Sequence, residues 1–110
     1  MDLKELCFSL CEKTGTSGDE KLAAQYAKEL LDKYMHTETD VSGNVVGTTE
    51  GGSMHILLDA HIDQVGMIVT YITDDGFIKV GNVGGLDRRL LPAQQVTIHG
   101  EKDIKGLICS

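Results

Sequence analysis

The chain has 110 residues, enough for one small domain or parts of two, with 41% hydrophobic and 25% charged residues and a formal net charge of −7. Acidic residues run along its whole length, which argues against nucleic acid as a partner, because phosphate neutralisation needs clustered Lys and Arg and Arg88-Arg89 is the only basic doublet. No stretch approaches the ~20 apolar residues that span a bilayer, so no membrane partner is expected. The charged opening Asp2-Leu3-Lys4-Glu5 does not read as a signal peptide. Cys7, Cys11 and Cys109 form no C-x-x-C pair, and Cys7 and Cys11 share an apolar helix face. Cys7 and Cys11 are expected as buried, reduced thiols, which suits a cytoplasmic protein.

In chain order, Leu3, Leu6, Cys7, Leu10 and Cys11 follow the spacing of one helix face. Ser17-Gly18-Asp19-Glu20 has the form of a capping box, with Ser17 as N-cap and Glu20 reaching back. A second helix follows, with Leu22, Ala23, Tyr26, Ala27, Leu30, Leu31 and Tyr34 as its apolar stripe, expected to pack on a sheet. Thr37, Thr39 and Val41 predict a strand, Ser42-Gly43-Asn44 a turn, and Val45-Val46-Gly47-Thr48 a returning strand. Met54-His55-Ile56-Leu57-Leu58-Asp59-Ala60-His61 is nearly continuous and apolar up to Leu58, the mark of a strand buried on both faces of an α/β sheet.

From Val65 the character changes to a small antiparallel β unit. Val65 to Ile72 and Phe77-Ile78-Lys79-Val80 flank the hairpin signal Thr73-Asp74-Asp75-Gly76. Val83-Gly84-Gly85-Leu86 is a glycine-rich corner. Gln95 to His99 alternates, Gly100 to Lys105 turns, and Gly106-Leu107-Ile108-Cys109 opens a further strand. A chain stopping there is expected to leave strand edges and apolar surface uncovered.

The segment with chemistry in it is Asp59-Ala60-His61-Ile62-Asp63. On a strand Asp59, His61 and Asp63 share one face. Polar groups at the end of a buried strand are costly unless paired or ligated, and ligands collect beyond the carboxyl ends of strands in open α/β sheets. A neutral imidazole is a common zinc ligand, often oriented by a carboxylate. The spacing therefore permits one metal ligand, His61, and one supporting carboxylate, Asp63. On spacing alone, a histidine simply hydrogen-bonded at a strand end is the favoured reading. His36, His55 and His99 show no matching carboxylate pattern and read as surface residues. The sequence holds no G-x-x-x-x-G-K phosphate loop and no G-x-S-x-G nucleophile elbow.

Ala60-His61-Ile62-Asp63-Gln64-Val65-Gly66 resembles the A-H-M-D-E-[IV]-G motif of the M42 metallo-aminopeptidases, the glutamyl and deblocking aminopeptidases. Four more blocks agree in order. Ser17-Gly18-Asp19-Glu20 is similar to S-G-x-E, and Asp40-Val41-Ser42-Gly43-Asn44 to D-x-x-G-N. Gly76-Phe77-Ile78-Lys79-Val80 is similar to G-F-[IL]-x-[VF], and Gly84-Gly85-Leu86-Asp87 to G-G-[WL]-D. Gln64 stands where Glu is commoner.

The resemblance implies an α/β fold: residues 1–64 as the start of a zinc-peptidase-like catalytic domain, and 65–110 as the first strands of an inserted small β-barrel dimerisation domain, with the fold incomplete in this chain. It implies peptide substrates cleaved at their N-terminal residue by water activated on two divalent ions, Zn²⁺ or Co²⁺. His61 would be one metal ligand, Asp63 the catalytic-site carboxylate supporting it, and the general-base glutamate and other ligands would lie outside this chain. Homo-oligomers through the β unit follow from the same likeness, and a segment this short is expected to be inactive alone. A non-catalytic assembly module is the alternative. Members were often labelled endoglucanases, but a glycosidase needs two opposed carboxylates and usually aromatic platforms, and this chain has no Trp.

Overall fold

A computed structural model describes residues 2–109. The first helix, α1 (Leu3–Cys11), starts where Asp2 accepts from the backbone N–H groups of Lys4 and Glu5, while Glu5 reaches back to the Asp2 N–H. That reciprocal cap satisfies N-terminal donors the helix cannot pair internally. The second helix, α2 (Lys21–Leu31), packs beside a hairpin of β1 (His36–Thr39) and β2 (Val45–Thr48), with Thr37 opposite Gly47. Asp40 closes the turn: its carboxylate accepts from the N–H groups of Ser42 and Asn44 and from the Asn44 side chain, and Gly43 takes the left-handed φ of 89°.

The second half is two further antiparallel hairpins. β3 (Gly66–Ile72) pairs with β4 (Ile78–Val83), with a register irregularity between Val69 and Tyr71. In its turn the Thr73 hydroxyl accepts from the Phe77 N–H at 2.9 Å and Gly76 has φ 84°. β5 (Gln95–Ile98) pairs with β6 (Ile104–Leu107), so the last strand starts two residues earlier than the glycine at 106 suggests. Between the hairpins, Asp87 caps a single 3-10 turn at Arg88–Leu90 and binds the Arg89 guanidinium, which holds the Asp87 carboxyl below its usual range. The Arg88-Arg89 doublet is thus partly internal to this turn.

The described residues bury little. Among them the buried hydrophobics are Ala23 and Ala24 on α2, with Thr37 the buried polar residue. The radius of gyration is 17.8 Å, against about 13 Å for a compact chain of this length. Neither β3–β4 nor β5–β6 packs on the helices or on the other hairpin among the described elements.

Three expectations are corrected. The apolar run at 54–61 is not a buried strand: these residues form no ladder, and Leu57 and Leu58 are 87% and 90% exposed. A strand buried on both faces needs neighbours on both edges and helices above and below. The described residues offer only one parallel bridge, Thr16 to Gln64, just beyond the run. The α2 stripe does pack on a sheet, the β1–β2 hairpin: Ala23 is buried and Tyr26, Ala27, Leu30 and Leu31 are half-buried, while Leu22 and Tyr34 at its two ends are exposed. Cys7 and Cys11 are exposed free thiols, not buried ones, since among the described helices and strands α1 packs only on α2; Cys109 is an exposed free thiol as well. Ser17 does not cap α2: Glu20 stands at the N-cap without a side-chain cap bond, and its carboxylate accepts from the Gly18 N–H at 2.6 Å.

Candidate metal centre

The site is built from two segments distant in sequence. Residues 15–17 and 64 are bound by a short parallel pairing: the Gln64 N–H donates to the Gly15 carbonyl at 2.7 Å, and the Ser17 N–H to the Gln64 carbonyl at 3.3 Å. The Gln64 side-chain amide extends the join, donating to the carbonyls of Cys11 and Lys13 at the end of α1. Gly15 sits so close to α2 that a Cβ there would meet the Ala23 methyl at 3.0 Å. These contacts fix the backbone at 63–64 against both helices, and so fix where Asp63 stands.

Asp63 uses both carboxylate oxygens. Oδ2 accepts from the Ser17 hydroxyl, and Oδ1 lies 2.8 Å from His61 Nδ1. The Ser17 bond first, and the His61 bond second, hold the Asp63 carboxyl below the usual aspartate range. An ionised carboxylate only accepts, so a neutral His61 carries its proton on Nδ1. Its Nε2 then keeps a free lone pair, the protonation pattern of a metal-ligating histidine oriented by a carboxylate.

The structure brings His61 and Asp63 together, as their spacing allows, but by a different route. The imidazole is 86% exposed and the Asp63 side chain 39%, so the ring stands in the open and not at the tip of an interior strand. Asp59 is exposed farther along the same cleft, which α2 and the 40–47 hairpin turn also line. Sequence reasoning missed Ser17 as the second partner of Asp63, because S-G-x-E also spells a helix cap. It also missed carboxylate partners for two other histidines: His36 pairs with Glu38 at 3.2 Å and His99 with Asp103 at 2.9 Å. Both are exposed, as expected. A carboxylate partner is thus not what singles out His61; the Ser17 buttress behind its carboxylate is.

The donor set fits one protein ligand and its supporting carboxylate. Catalytic zinc sites draw on three protein ligands, and no cluster of three or more His, Cys, Asp or Glu side chains suited to a metal occurs among the described residues.

Comparison with known proteins decides the family. Residues 43–110 match the family model described as M42 glutamyl aminopeptidase. The chain belongs to the M42 peptidase family. This M42 chain is 31% identical over 100 residues to the lysyl aminopeptidase of Pyrococcus furiosus, covering 89% of the chain and 29% of that relative. Its backbone is similar to that of aminopeptidase APDkam598 from the archaeon Desulfurococcus kamchatkensis, with a TM-score of 0.82 and 33% identity over 92% of this chain and 29% of the other. It is also similar to the dodecameric PhTET1-12s, with a TM-score of 0.80 and 26% identity over 100% of this chain and 34% of the other. The M42 chain therefore spans less than a third of the curated aminopeptidase it matches. No helix among its described residues is long and apolar enough to cross a membrane.

Proposed function

We propose that this chain is part of a metal-dependent aminopeptidase, in which His61 is one ligand of a pair of divalent ions, Zn²⁺ or Co²⁺, and Asp63 holds the ring. The observation that carries the reading is the 2.8 Å contact between His61 Nδ1 and Asp63 Oδ1, which leaves Nε2 open, in a chain of the M42 family. Such ions polarise a scissile carbonyl and lower the pKa of a bound water. The chain's own residues have narrower tasks. Asp63 keeps the proton on Nδ1 and fixes the ring plane, and His61 offers Nε2 as a neutral donor. The proton acceptor and remaining ligands come from outside these residues, so the 110-residue segment is inactive by itself.

Residues 1–64 are proposed as the opening of the catalytic domain and 65–110 as the first part of an inserted β unit. The lack of packing between their elements supports that division. The β unit is proposed as a homo-oligomer contact, a reading favoured by exposed Ile68, Ile72, Phe77, Ile78 and Leu107 and by the dodecameric state of PhTET1-12s. The same surface supports the second reading, an assembly module without catalysis. Free thiols at Cys7, Cys11 and Cys109 support a reducing, cytoplasmic setting.

The test is hydrolysis of short peptides by the full protein that carries this chain. Release of N-terminal residues that stops on chelation and returns with Zn²⁺ or Co²⁺ is expected. Assembly of the intact protein with no peptide hydrolysis under any metal would favour the second reading instead.

A further inference from the structure

We propose that Ser17 is a positioning residue for His61, acting through Asp63; the inference rests on the metal-ligand reading above and extends it to a side chain on another segment. Aspartate's terminal torsion is broad and roughly two-fold, so a carboxylate held at one oxygen only can swing. Here it is held at both. The Ser17 hydroxyl donates to Oδ2, and Oδ1 is thereby kept toward His61 Nδ1.

Three features assign the hydroxyl to this task and not to the helix. Glu20 is the N-cap of α2, so Ser17 lies outside the cap. The Gly18 N–H is taken by the Glu20 carboxylate at 2.6 Å. The Ser17 N–H donates to the Gln64 carbonyl, which fixes the serine alongside the residue that follows Asp63. With its ring 86% exposed, His61 has little packing to hold it, and orientation falls to Asp63. Groups that support metal-binding imidazoles in this way set ring orientation and basicity.

The experiment uses the full protein with Ser17→Ala, Ser17→Thr and His61→Ala, and two readouts. The first is the His61 ring ¹⁵N spectrum of metal-free protein at a pH where the ring is neutral, which distinguishes the Nδ1–H from the Nε2–H tautomer. The second is the Zn²⁺ dissociation constant, by competition with a chromophoric chelator. Wild type is expected to hold the Nδ1–H form. Ser17→Ala is expected to lose that preference and to weaken Zn²⁺ binding about tenfold, the lower end for such supporting groups. Ser17→Thr, which restores the hydroxyl, is expected to return both to wild type. A predominantly Nε2–H ring in wild type, or wild-type tautomer and Zn²⁺ affinity in Ser17→Ala, overturns the proposal. So does a Ser17→Thr protein indistinguishable from Ser17→Ala. Unchanged Zn²⁺ binding in His61→Ala would instead remove the metal-ligand reading, and the tautomer alone would then judge the link from Ser17 to His61.

Discussion

The Gln64 side-chain amide donates to the Lys13 carbonyl oxygen at 3.3 Å, tying the segment after Asp63 to the end of α1. A second bond, to the Cys11 carbonyl, has the same length. Both acceptors are backbone carbonyls, so only a donor serves at this position. The commoner family residue, Glu, would set an ionised carboxylate against two carbonyl oxygens. Gln64→Glu is therefore expected to destabilise the protein by about 1 kcal/mol at neutral pH. The protonated carboxyl can donate, so the fold favours it and raises its pKa. The loss should then be present above that raised value and shrink as pH falls through it. Thermal melts of both proteins from neutral to mildly acidic pH check this; a gap that widens on acidification would contradict it.

Gly66 begins β3 directly against Thr16. A Cβ at Gly66 would lie 2.6 Å from Thr16 Cγ2 and 2.7 Å from its Oγ1. Thr16 is β-branched and held by its bridge to Gln64, so it has little room to yield. Gly66→Ala is expected to cost about 1–3 kcal/mol, as overpacking typically does. Combining it with Thr16→Ser, which removes Cγ2, should recover part of the loss. A double-mutant cycle in denaturant measures the coupling, and strict additivity would show that the two residues do not meet.

Asp40 gives a pH dependence of defined sign. The Asn44 side-chain amide first, then the Asn44 backbone N–H, hold its carboxyl below the usual aspartate range. A group with a depressed folded pKa stabilises the fold fully above its unfolded value, near 4, and loses that contribution as pH falls through the folded value. The melting-temperature gap between wild type and Asp40→Asn is expected to be largest near neutrality and to narrow below about pH 4. A gap that stays constant across that range would mean the charge at Asp40 contributes nothing to the turn.

The hairpins were legible in the sequence because their determinants are local. Ser42-Gly43-Asn44 and Thr73-Asp74-Asp75-Gly76 supply the turn chemistry, and the flanking residues alternate. The run at 54–61 misled because continuous apolarity reports what a segment could bury, while a buried strand also needs neighbours that these residues do not provide. Cys7 and Cys11 misled for the same reason: their helix face is apolar but uncovered. Within the site, His61 and Asp63 were visible as a spaced pair. Ser17 was not, since its contact with Asp63 crosses 46 residues and its motif also describes a helix cap.

The central claim is that His61 ligates a catalytic metal ion. The most direct measurement compares wild type and His61→Ala in the full protein, reading Zn²⁺ affinity and metal-dependent release of N-terminal residues from one peptide. Both should fall by more than about a hundredfold, beyond the 10–100-fold typical of groups that only support a ligand. Wild-type affinity and wild-type turnover in His61→Ala would contradict the assignment.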